Sequence, residues 1–70
     1  MGFTKRYFSK DLILKNIDSG FPLSKLFNVD AFIFNDSESQ TAFRIHKNGY
    51  SDEEVKQFLL TGVNPLIEKK

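Results

Sequence analysis

Four consecutive apolar residues, Ala31-Phe32-Ile33-Phe34, are the segment hardest to house in a chain of 70 residues. In a strand, alternate side chains point to opposite faces, so Phe32 and Phe34 fall on one side, Ile33 on the other, and both sides need cover. A chain this short buries only about 60% of its unfolded surface. It has no cysteine, so no disulfide can compensate for a thin core. The run predicts one small domain spanning residues 1–70, with a sheet that something else completes.

The elements around this run follow from local signals. Ser51 and Glu54 have the spacing of a capping box, and Tyr50 and Val55 that of a hydrophobic staple. Asp52, Glu53 and Glu54 suit the positive end of a helix dipole, and Gly62 supplies a left-handed stop, so a helix is expected over 51–61. Its inner stripe is Val55, Phe58 and Leu59 with Leu60 beside them, and Val63 is placed to close back onto Phe58. A second helix reads from Ser9 to Ser19 and stops at Gly20, with Asp18 fraying its last turn; Pro22 to Phe27 reads as a short helical turn.

Ala31 to Asn35 and Thr41 to His46 read as two strands joined by the polar loop Asp36-Ser37-Glu38-Ser39-Gln40, which is a β-hairpin. In the second strand Phe43 and Ile45 face one way, and Ala42, Arg44 and His46 the other. Phe3 to Phe8 adds a third strand or simply leads into the first helix. The expected fold is α+β: helix, short helix, hairpin, helix, with the helices packed on one face of a two- or three-stranded antiparallel sheet.

Function classes narrow quickly. Without cysteine there is no thiolate zinc site, iron–sulfur cluster or thiol nucleophile, and a reducing, cytoplasmic setting is expected. Leu12 to Leu14 is too short for a membrane span or a signal-peptide core. The single histidine, His46, has no serine, carboxylate or second histidine at a motif spacing, so it reads as a solvent-facing strand residue. Asp30, Asp36 and Glu38 lack the further carboxylates and the glycine of a calcium loop, and read as a solvated hairpin tip. No glycine-rich phosphate cradle is present. No enzymatic activity, cofactor, metal or small-molecule substrate is expected.

Two binding roles remain. The order helix, short helix, hairpin, helix resembles that of small winged-helix and excisionase-type DNA-binding proteins; on that reading Lys10, Lys15, Lys25, Arg44 and Lys47 contact phosphates. Against it stand a net charge of only +1 and an acidic hairpin tip where a wing should be basic. The preferred reading is an accessory or regulatory protein that binds another protein, or itself as a homodimer, through the hairpin. Its contact residues are then Phe32, Ile33, Phe34, Arg44 and His46. The tail adds Leu66 and Ile67 after Pro65, packed back on the core or offered to a partner.

Overall fold

In a computed structural model, which describes residues 4–68, the strand before the first helix is real: β1 covers Lys5–Phe8. Phe3, where that strand was expected to begin, lies outside the described residues, as do Lys69 and Lys70. The chain then forms α1 (Lys10–Asp18), α2 (Leu23–Leu26), β2 (Ala31–Phe34), α3 (Ser37–Lys47), α4 (Asp52–Thr61) and α5 (Pro65–Glu68). The α+β class stands, but the sheet is a parallel pair, β1 with β2, in the register Lys5 to Ala31 through Phe8 to Phe34. Parallel strands need a long crossover, and α1 with α2 supplies it.

The hairpin is absent because residues 37–47 are helical rather than a loop and a second strand. Asp36 is the N-cap of α3: its backbone is extended and its Oδ1 accepts from the Ser39 N–H at 2.9 Å. Arg44, His46 and Lys47 fall in the last turn, where positive charge complements the dipole. The inward positions are Ser39, Ala42 and Ile45, all buried, with Phe43 partly buried beside them. Ser39 is the deceptive one. Its hydroxyl is fully buried yet satisfied, donating to the Asp36 carbonyl at 2.8 Å and reaching the Phe8 carbonyl at 3.4 Å. A serine in the inner stripe breaks the apolar periodicity, which leaves Thr41 to His46 looking like strand alternation.

The helix beginning after Ser51 is as the sequence predicts. Ser51 Oγ accepts from the Glu54 N–H at 3.3 Å and the Glu54 carboxylate from the Ser51 N–H at 3.4 Å, while Gly62 ends the helix at a φ of +83°. Two details differ: Leu60 is 59% exposed and Val63 points away from the core at 51%. In α1 the helix runs through Asp18. Asp18 pairs with Lys56 of α4 at 3.0 Å, and the hydrogen bond and charge of Asp18 raise the Lys56 pKa.

Remote aspartates staple the rest. Asp36 Oδ2 accepts from the Lys10 N–H at 3.1 Å, so one carboxylate serves the first turns of both α3 and α1. The N-cap of α2 is Pro22, whose aliphatic ring has no acceptor to offer; instead Asp52 of α4 accepts from the Leu23 N–H at 3.1 Å. Asp30 accepts from the Thr4 N–H at 2.7 Å just before the sheet begins. Of the three acidic residues expected at a solvated tip, Asp30 and Asp36 bind backbone amides, while Glu38 is exposed in the first turn of α3. The core they enclose gathers Phe8, Ile13, Leu23, Leu26, Phe27, Ala42, Ile45, Val55, Phe58 and Leu59 from every element but β2 and α5.

Candidate functional site

The two faces of the parallel pair differ sharply. Paired residues share a face, so Arg6, Phe8, Phe32 and Phe34 lie on one side and Lys5, Tyr7, Ala31 and Ile33 on the other. The first side is packed. Phe8 is fully buried and its ring lies 5.1 Å from Phe27, 5.8 Å from Phe32 and 5.7 Å from Phe34. Phe43 of α3 sits 4.6 Å from Phe32 and 5.6 Å from Phe34, closing an aromatic cluster under the sheet. Phe32, Phe34 and Phe43 nonetheless remain partly exposed at its margin.

Among the described residues the second side has no such aromatic packing, and Ala31 and Ile33 there are half-buried. Tyr7 is 56% exposed, and neither it nor Ile33 packs against the core. A parallel sheet is ordinarily covered on both faces. Among the described residues, helices pack against one.

The edges of the sheet are open as well. The N–H groups of Ala31 and Asn35 donate to the carbonyls of Thr4 and Phe8 at 3.1 and 2.8 Å. Odd-numbered residues of β2 therefore face β1. By the alternation of a strand, the N–H and C=O groups of Phe32 and Phe34 face outward, where no described residue bonds them. On β1 the outward groups belong to Lys5 and Tyr7.

The five residues proposed for protein binding do not form one surface. Phe32 and Phe34 are on the packed face, Ile33 is on the open one, and Arg44 and His46 are on α3 instead of a second strand. His46 is half-buried rather than fully solvent-facing: its Nδ1 is buried without a partner among the described residues, and its ring lies 5.3 Å from that of Phe27. His46 thus works as an aromatic filler. Arg44 is exposed and lines an open groove of about 560 Å³ with Asn48, Gly49, Tyr50 and Leu66.

The DNA reading loses its wing with the hairpin. Its basic residues are spread over three helices: Lys10 and Lys15 on α1, Lys25 on α2, and Arg44 and Lys47 on α3. The helix pair joined by a short turn, α3 and α4, presents Asp52, Glu53 and Glu54 at the start of its second helix, a charge that repels phosphate. In the tail, Leu66 packs against the core while Ile67 is 78% exposed.

Sequence reasoning undervalued Tyr7, Phe8, Phe27 and Phe43, which together with β2 make and border the site. The signal available was the alternation Arg6-Tyr7-Phe8, too short to stand alone. No helix among the described residues is long and apolar enough to cross a membrane. Searches against protein-family models, curated proteins and solved structures find no match to this chain.

Proposed function

We propose that this chain is a small non-enzymatic protein-binding module, acting as an accessory or regulatory protein and associating with itself through its sheet. The observation that carries the reading is the open side of the β1–β2 pair. Tyr7 and Ile33 lie outside the core on a parallel sheet, and the outward backbone groups of Phe32 and Phe34 lack partners among the described residues. A cytoplasmic setting fits the cysteine-free composition.

Sedimentation equilibrium across a wide concentration range tests this directly. A concentration-dependent shift from monomer to dimer is expected. A folded monomer up to millimolar concentration, together with no protein recovered in a pull-down from nuclease-treated lysate, would overturn it. DNA binding is the rival: it predicts a mobility shift that weakens steeply with salt, and no shift at low salt removes it.

A further inference from the structure

We propose that the free edge of β2 pairs antiparallel with β2 of a second copy, with Ile33 on the twofold axis. The inference rests on the self-association reading above and specifies the surface and register that reading leaves open.

The hydrogen-bonding pattern selects the register. Only Phe32 and Phe34 present N–H and C=O groups outward from β2. In an antiparallel pair, residues that exchange both hydrogen bonds sit opposite one another. Centring the axis on Ile33 sets Phe32 of one copy opposite Phe34 of the other, and symmetry makes that pair occur twice, so every outward group is satisfied. A shift by one residue would place packed-face side chains opposite open-face ones. Centring the axis on Phe32 would pair Phe34 with Asp30, whose backbone N–H is already bonded to Thr4.

The side chains agree with the backbone. Phe32 and Phe34, partly exposed beside Phe43, would meet their counterparts on the same face and extend the aromatic cluster across the axis. Ile33 would meet Ile33 on the open face. Ala31–Phe34 itself carries no charge, although this register sets Asp30 of one copy across from Asp36 of the other at either end, whereas the other edge of the sheet carries Lys5 on the strand itself, a residue type that blunts strand edges. The edge whose strand is wholly apolar is therefore the one that pairs. Strands of this length bury little area, so the dimer is expected to be reversible and concentration-dependent.

The absence of cysteine makes the register directly testable. Opposed residues of a pair that exchanges no hydrogen bonds lie with their Cα atoms about 4.5 Å apart, within the roughly 4.4–6.8 Å that a disulfide spans. Ile33→Cys should therefore oxidise to a covalent dimer under oxidised glutathione. Ala31→Cys alone should not, because the axis separates its two copies by four strand positions, about 14 Å. Mixing Ala31→Cys with Asn35→Cys should restore cross-linking, which provides a second route if Ile33→Cys folds poorly.

Amide exchange of the unmodified chain gives an independent reading. The Phe32 and Phe34 amides should exchange roughly tenfold more slowly where about nine-tenths of the chain is dimeric, and should speed up on dilution. A dimer with freely exchanging Phe32 and Phe34 amides and no cross-link from either cysteine design would overturn this interface while leaving self-association standing. A monomer at every concentration would overturn both.

Discussion

Replacing Asp36 with alanine should cost this domain a large share of its stability, because the carboxylate serves two helices at once. Its Oδ1 caps α3 through the Ser39 N–H at 2.9 Å, and its Oδ2 takes the Lys10 N–H of α1 at 3.1 Å. Loss of an N-cap costs about 0.5–2 kcal/mol. The second bond is also made to an ionised group, a class worth about 1.5–3 kcal/mol, reduced here because the site is only part-buried. A combined loss of about 2–3 kcal/mol follows, against a total of roughly 3.5–10 kcal/mol for a domain this size. That corresponds to a fall in Tm of about 10–20 °C, measurable by circular dichroism with urea titration at neutral pH. Asp36→Ser, which can cap only its own helix, should fall about midway.

The pH dependence of the same pair checks the mechanism. Burial pushes the Asp36 carboxyl up, but the Ser39 hydroxyl and the Lys10 and Ser39 amides outweigh it and, with the Lys10 charge, leave the pKa below its ordinary value of 3.8. The folded state therefore binds this proton more weakly than the unfolded state does. The contribution is complete above the unfolded pKa and is lost as pH falls through the folded one, so the stability gap between wild type and Asp36→Ala should begin to narrow below about pH 4 and keep narrowing as pH falls through the lowered pKa. An Asp36→Ala loss under about 0.5 kcal/mol, or a gap between the two proteins that does not narrow in acid, would refute the double-cap argument.

Three further outcomes are expected. Phe8→Ala removes the ring at the centre of the aromatic cluster and should cost about 3–5 kcal/mol, enough to leave much of the chain unfolded by near-ultraviolet circular dichroism and proteolysis. Ser51→Ala breaks the capping box of α4 and should lower stability by about 1 kcal/mol in urea titration, with Ser51→Asp restoring most of it. Ser39→Ala leaves the buried stripe of α3 apolar and removes a satisfied hydroxyl; thermal melts should shift by no more than about 1 kcal/mol equivalent, whereas Ser39→Leu should overpack the site and cost more.

Legibility in the sequence followed how local each signal was. The helix after Ser51 could be read completely because its caps, dipole charges and stripe all lie within the segment. α1, α2 and β2 were legible too, since Ser9, Gly20 and Pro22 mark boundaries and Ala31–Phe34 has no helical periodicity. α3 was missed because its cap, Asp36, stood in a run rich in turn residues and its inward Ser39 is polar for a tertiary reason, the carbonyl of Phe8. That misreading produced the antiparallel sheet and dispersed the expected contact residues. What survived it was the mismatch between the apolar run and the cover available: Ile33 does sit on a face that the helices leave open. The roles of Asp30, Asp36 and Asp52 could not be read locally, since each serves an amide elsewhere in the chain.

The parallel pairing also sets how the chain comes together in time. Thr4 meets Asp30, Lys10 meets Asp36 and Lys5 is in register with Ala31, all across one offset of 26 residues. Closing a loop of that length costs roughly 3 kcal/mol of chain entropy, and it is lost once for all of these contacts together. The sheet and two of the aspartate bonds share that one closure cost, so they are expected to form and to open together.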